Sequence, residues 1–557
     1  MWLKSFRLVF LAGFSPTLFG SPIHGGGHAA PRVHLGYATY EGTTLENGVQ
    51  QFLGMRYAAA PLGGNRFRRP RDPLNETKVV PAVKHGAVCY GVQGLTFGSP
   101  QGIKLGEDCL FVDVYTPSTS LADSDCGLPV MVWLQGGAFV QLFNPNYNGT
   151  GIVEASHGKV IVVSFNYRVG PYGFFATEEL EKEGNLNIGL HDQRFALSWV
   201  HKHIKAFGGD PDKVTLFGTS VGAGSVLLQT VAYGGSPPEG DIARWNAGIA
   251  PAAYMPSVYE VSDLAYQYET LLTATNCSDL ACLRSLDSDT IQAANNATLF
   301  PGTLPVALFP YAPVIDHQLF TDHPQAMLQA GNFSRARPLM IGSSHSEGTL
   351  FVPPADTTAD INAFLKLQFP TLTQSDLEAA RSLYSTVPST FAGVNVTKSP
   401  LFYKAAAMYG DVSFTCPTLQ FASVLSESNV DIYYFRNNVV DPVELGTGYI
   451  VPHTWEVQAV WGPEYAVSYV ALPSADSYDV GGINRNVVAE VQHFWIQFAT
   501  TGGNLGDGPT NTPTWSRFND QLQRFRLQTN SSAMEDIAKI ELDRCVFWTS
   551  LASRTLI

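Results

Sequence analysis

The run Val214-Thr215-Leu216-Phe217 passes without a break into Gly218-Thr219-Ser220-Val221-Gly222 and then into Ala223-Gly224-Ser225-Val226-Leu227-Leu228. A β-rich apolar run, a serine flanked by glycines and a helix-compatible run, in that order, leave few ways to fold. The glycines make room for a sharp strand-to-helix turn that lifts the serine hydroxyl above a sheet edge. The five-residue pattern is common by chance; its place between strand and helix gives it weight.

Other segments extend the same architecture. Val130 to Leu134 and Val160 to Phe165 are near-continuous apolar runs, as strands covered on both faces require. Asp192 to Phe207 carries Ala196, Trp199, Val200, Ile204 and Phe207 at helical spacing and stops at Gly208-Gly209. Strand, helix, strand order predicts an α/β fold. Later segments predict helices over Thr358 to Leu367 and Gln374 to Tyr384, a strand over Val430 to Phe435 and a loop over Thr500 to Pro513. No linker or repeat divides the chain, so one large domain is the reading for its 557 residues. Apolar residues at 45% and charged ones at 15% fit a chain that buries a large core.

With 34 basic against 48 acidic residues and no basic cluster among aromatics, the chain lacks a nucleic-acid footprint. Met1 to Arg7 followed by the apolar stretch Leu8 to Phe19 reads as a secretory signal over residues 1–20, although Pro16 interrupts it. Residues 21–557 then form the exported domain. No later segment offers 18 uninterrupted apolar residues, so no membrane span is predicted. Export agrees with seven cysteines, whose pairing cannot be fixed by counting. It also agrees with sequons at Asn75, Asn148, Asn276, Asn296, Asn332, Asn395 and Asn530.

A serine hydroxyl is a weak nucleophile at neutral pH and needs a base together with donors aimed at the developing oxyanion. The turn Gln135-Gly136-Gly137-Ala138-Phe139 follows the strand ending at Leu134, and the amides of Gly137, Ala138 and Val221 are assigned as those donors. In isolation an ordinary Gly-Gly turn reads the same.

These residues resemble the type B carboxylesterase/lipase family, which includes cholinesterases and fungal lipases. Phe207-Gly208-Gly209-Asp210-Pro211 through Gly222 is similar to its serine signature, and Glu107-Asp108-Cys109-Leu110-Phe111-Val112-Asp113-Val114-Tyr115-Thr116-Pro117 to its second. Shorter similarities run from Phe52-Leu53-Gly54 and Arg66 to Pro70 out to Cys545-Val546-Phe547-Trp548. The resemblance implies an α/β-hydrolase fold with a mostly parallel sheet flanked by helices. It implies Glu347 as the acid and His453 as the base, in the chain order Ser, Glu, His. Residue chemistry alone could not choose His453 among 13 histidines, and His345 is the nearby decoy. The resemblance further implies disulfides Cys89 to Cys109, Cys277 to Cys282 and Cys416 to Cys545, leaving Cys126 over. It marks Arg66 with Glu107 and Arg168 with Asp192 as structural ion pairs, and Ser225 as a supporting residue only.

The chain departs from the family pattern at Ala138, where a third glycine is common, and at Val221, where alanine is usual; both amides survive. Gly248 to Tyr254 also departs, which weakens any inference about the acyl pocket. The segment between Cys89 and Cys109 contains no tryptophan, so an aromatic platform for choline esters is not expected there. Phe139, Phe143 and Trp455 are expected to line the gorge. The expected activity is that of a secreted carboxylic ester hydrolase acting on hydrophobic acyl esters, with transient contact to a lipid interface and no cofactor or metal. Two alternatives stay open: a non-catalytic adhesion or binding protein on this fold, and an acyltransferase using the same acyl-enzyme.

Overall fold

The computed structural model describes residues 30–94, 103–118, 127–143, 147–296, 310–385, 398–466, 477–509, 512–518 and 521–557. The expected signal segment, Cys126 and Asn395 lie outside these residues. Apolar and β-branched runs form an eleven-stranded central sheet. Its strands are β1 (Thr43–Thr44), β2 (Val49–Arg56), β3 (Phe111–Pro117), β4 (Leu128–Leu134), β5 (Ile161–Phe165) and β6 (Gly209–Gly218). They continue as β7 (Ala247–Pro251), β8 (Leu339–Ser344), β9 (Ile432–Asn437), β10 (Gln523–Leu527) and β11 (Ala533–Asp536).

Across the sheet the order is β11-β10-β9-β8-β7-β6-β4-β5-β3-β2-β1. Every pairing from β10 across to β5 is parallel. The pairs β5 with β3, β3 with β2, β2 with β1 and β10 with β11 are antiparallel. All residues of β5, β7 and β8 are buried, as parallel strands covered on both faces must be.

The helices that matter for the site are α1 (Ile188–His203), α2 (Val221–Val231), α3 (Pro400–Gly410), α4 (Cys416–Glu427), α5 (Arg485–Thr500) and α6 (Lys539–Ser550). Helix α2 packs on β6 and β7, and α5 packs on β4 and β6. The expected mostly parallel sheet flanked by helices is therefore the one observed. Helix α1 starts at Ile188, ahead of the Asp192 start read from periodicity. Its first turn holds Gly189, whose hydrogen faces the Arg168 carbonyl so closely that a Cβ would sit 2.5 Å from that oxygen. That is a packing requirement, and apolar periodicity does not report it.

All three implied disulfides form, with Cα separations of 4.9 Å for Cys89–Cys109, 5.5 Å for Cys277–Cys282 and 4.8 Å for Cys416–Cys545. Both implied ion pairs form as well: Arg66 Nε lies 2.5 Å from Glu107 and Arg168 Nη2 2.7 Å from Asp192, all four side chains buried. Asp192 also accepts the Arg168 amide at 3.0 Å, so this pair pins the chain at the end of β5 to α1. Among the described residues no helix is long and apolar enough to cross a membrane.

Candidate active site

The turn between β6 and α2 consists of Thr219 and Ser220 alone. Ser220 has φ 58 and ψ −131, a conformation costly for a residue with a Cβ and characteristic of strain kept at functional sites. The flanking glycines permit it. A Cβ on Gly222 would lie 2.0 Å from the Leu134 carbonyl oxygen, and one on Gly218 2.6 Å from the Gly222 carbonyl carbon. Ser220 is half-buried and does not cap α2 with its side chain, so its hydroxyl is not consumed by the helix it starts.

Beside it runs the turn after β4. Gly136 approaches so closely that a Cβ there would meet the Ser220 Cβ at 3.0 Å. Gly137 has φ 114, and Ala138 and Phe139 follow at φ 59 and 57. Three successive positive φ values turn the amides away from ordinary turn partners. Among the described residues none accepts a hydrogen bond from the amides of Gly137, Ala138 or Val221. Gln135, fully buried, holds the turn in shape. Its Nε2 donates to the Phe165 carbonyl at 2.7 Å, its Oε1 accepts the Phe143 amide at 3.0 Å, and its carbonyl accepts the Tyr167 hydroxyl at 2.7 Å.

Glu347 follows β8 and His453 lies in a loop after β9, each at the same edge of the sheet as Ser220. Glu347 is 2% exposed and His453 5%. Glu347 Oε1 accepts the Ser344 amide at 2.5 Å and Oε2 meets His453 Nδ1 at 2.5 Å, so both carboxylate oxygens are engaged and the imidazole is held from one side. His453 Nε2 is buried without a hydrogen-bond partner. His345, the decoy, is exposed and its Nδ1 bonds Ser346 Oγ at 2.8 Å, away from this pair. The structure thus joins Glu347 to His453, leaves Nε2 free, and includes no hydrogen bond from it to Ser220.

Two backbone and side-chain links bring Ser220 and His453 into one cluster. The Ser220 carbonyl accepts the Tyr254 amide at 3.1 Å, the Tyr254 ring lies 5.2 Å from Phe414, and Phe414 lies 4.8 Å from the His453 ring. Thr219 Oγ1 donates at 2.9 Å to Glu456 Oε1, three residues past His453. Burial, then the neighbouring Glu347 charge, pushes the Glu456 carboxyl up to about 7. Thr219, Glu456, Phe351 and Phe414 were not singled out from sequence; only Glu456 had a signal, its closeness to His453 in the chain.

The three expected gorge aromatics Phe139, Phe143 and Trp455 are all buried. Phe139 is 1% exposed against Phe174 at 4.5 Å, and Trp455 is 2% exposed against Tyr478 at 5.8 Å. Phe143 lies over the Gly137 turn. Ser225, on α2, is buried and accepts Gln193 Nε2 of α1 at 3.0 Å, a supporting contact between the two helices.

Comparison with known proteins gives the family of the chain. The model of the carboxylesterase family matches residues 29–548. Lipase 1 of Geotrichum candidum is 33% identical over 420 residues, 67% of this chain and 74% of its own length. The cholinesterase of Mus musculus is 29% identical over 535 residues, 90% of this chain and 83% of its own. The crystal structure of Aspergillus niger EstA superposes with a TM-score of 0.86 at 36% identity, covering 95% of this chain and 99% of that one. The chain belongs to the carboxylesterase family, with the α/β-hydrolase fold and carboxylic ester hydrolysis as its general activity.

Proposed function

We propose that the chain hydrolyses carboxylic esters through an acyl-enzyme, with Ser220 as nucleophile, His453 as general base and then general acid, and Glu347 orienting the imidazole. The observation that carries this reading is the buried Glu347–His453 pair whose Nε2 is left without a partner, in the cluster that contains a strained serine. His453 takes the Ser220 proton as Oγ attacks the carbonyl carbon. The tetrahedral oxyanion is received by the amides of Gly137, Ala138 and Val221, and collapse expels the alcohol with the proton His453 returns. Water, activated by the same histidine, then releases the acid. Glu347 fixes the tautomer and stabilises the imidazolium.

The favoured substrates are hydrophobic acyl esters, reached at times from a lipid surface; the absence of tryptophan between Cys89 and Cys109 speaks against a choline platform. Export to an oxidising, glycosylating compartment is supported by the three disulfides and by the sequon asparagines Asn75, Asn276, Asn296, Asn332 and Asn530, all exposed, with Asn148 half-buried. No observation favours a non-catalytic role.

The test is hydrolysis of p-nitrophenyl esters from acetate to palmitate by wild type and Ser220→Ala. Turnover by wild type, an optimum at medium to long chains and loss in the variant are expected. A folded wild type inert toward every ester contradicts the reading. Products formed with a competing alcohol separate hydrolysis from acyl transfer.

A further inference from the structure

Between α3 and α4 the helix does not continue as α. Residues Asp411–Thr415 form a π turn, closed by the Cys416 amide donating to the Asp411 carbonyl five residues back. The sequence supplies the cause. Pro417 has no N–H and its ring would clash with the carbonyl four residues earlier, that of Ser413. The extra residue in the π turn relieves that clash, and the freed Ser413 carbonyl accepts the Met255 amide at 3.0 Å. Met255 follows Tyr254, whose own amide donates to the Ser220 carbonyl. The π turn is therefore tied by two successive backbone bonds to the turn bearing the nucleophile.

The same turn presents Phe414, fully buried, to His453. The two ring centroids are 4.8 Å apart with planes at 62°, Phe351 lies 5.2 Å from the imidazole at the same 62°, and the two phenyl rings stack 5.5 Å apart at 19°. Three rings thus occupy the corners of a near-equilateral triangle. The Glu347 bond fixes one ring nitrogen of His453; rotation of the ring about its own axis needs a second constraint, which the two phenyls supply. The charged groups around the imidazole are Glu347, bonded to it, and Glu456 on its own loop; the phenols of Tyr254 and Tyr409 pack against Phe414, and Tyr409 against Phe351 as well. Asp411, in the same π turn, bonds the Tyr384 hydroxyl instead.

We infer that Phe414, delivered by the Pro417-induced π turn and backed by Phe351, is a positioning residue for the base: the two rings hold the plane of His453 while Glu347 holds its Nδ1. This rests on the hydrolase reading above. A base turned out of line with the nucleophile loses the geometry that proton transfer requires, and a misplacement on the order of 1 Å can cost as much as about a hundredfold in rate.

The experiment is kcat and KM against pH for wild type, Phe414→Leu, Phe351→Leu and the ring-keeping Phe351→Tyr. Phe414→Leu is expected to lower kcat roughly tenfold with KM within about twofold. Phe351→Leu shows the same pattern in smaller measure, and Phe351→Tyr follows wild type. Merely loosened packing would lower stability without moving the low-field proton resonance of the Glu347–His453 bond. A kcat within twofold of wild type in Phe414→Leu overturns the inference; if that variant does not fold, the same result in Phe351→Leu does so. The low-field proton of the Glu347–His453 bond reports ring position without substrate. A wild type that turns over no ester therefore refutes the hydrolase reading alone, and an unshifted resonance in the leucine variants refutes the positioning role alone.

Discussion

Gly222 has no room for any side chain, because the carbonyl of Leu134 passes 2.0 Å from where its Cβ would be. Replacing it by alanine must push β4 and α2 apart and distort the seat of Ser220. Gly222→Ala is expected to lower stability by about 3 kcal/mol or more in denaturant unfolding, whereas Gly64→Ala, with open space around an exposed position, should change it by less than about 0.5 kcal/mol. Equal losses at the two positions would refute the steric account. This part of the site was legible in the sequence because an elbow is local: strand, Gly218, Ser220, Gly222 and helix are contiguous. His453 was not legible from chemistry, since its partner Glu347 is 106 residues away and nothing local distinguishes it from twelve other histidines; the family resemblance alone pointed to it. Phe414 carried no signal at all, because its approach to His453 depends on a change of helical pitch.

Helices α4 and α6 are joined by Cys416–Cys545, which closes a loop of separation 129, while Cys277–Cys282 closes one of separation 5. In the chain-entropy account the long loop constrains the unfolded chain far more. Replacing Cys416 and Cys545 together by serine is expected to lower stability by about 2 to 4 kcal/mol in denaturant titration, and the same change at Cys277 and Cys282 by less. The reverse order would show that the short loop's native contacts dominate. The strands β4, β5, β6 and β9 emerged from sequence with ends shifted by a few residues, because buried parallel strands are nearly continuous apolar runs. The start of α1 was missed because its first turn is dictated by contact with Arg168 rather than by an apolar stripe.

Buried carboxyls set how the whole molecule responds to pH. Burial pushes Asp411, Glu444 and Glu456 each up to about 7. Such an acid keeps its proton in the fold after the unfolded chain has lost it. The stability it contributes is complete below the ordinary values of 3.8 and 4.5 and is lost as pH rises towards 7. Glu541 runs the other way: burial raises it, but Arg524 and Arg436 outweigh burial and hold it low, so its contribution is lost only in stronger acid. Thermal stability is therefore expected to peak near about pH 5 and to fall towards pH 8, with a shallower fall in Asp411→Asn; a melting temperature constant across that range would contradict these assignments. The architecture of one α/β unit was readable from the order of strands and helices. The cluster at its edge was not, since it assembles residues from β4, β6, β8 and the segments after β9 and α3 that only the folded sheet brings together. The account's central claim is that Ser220 is the activated nucleophile, and intact-protein mass spectrometry after reaction with a fluorophosphonate tests it most directly. One adduct per chain, mapping to the peptide that contains Ser220 and absent from Ser220→Ala, is the predicted result; no adduct on a folded protein, or an adduct that persists in Ser220→Ala, would contradict it.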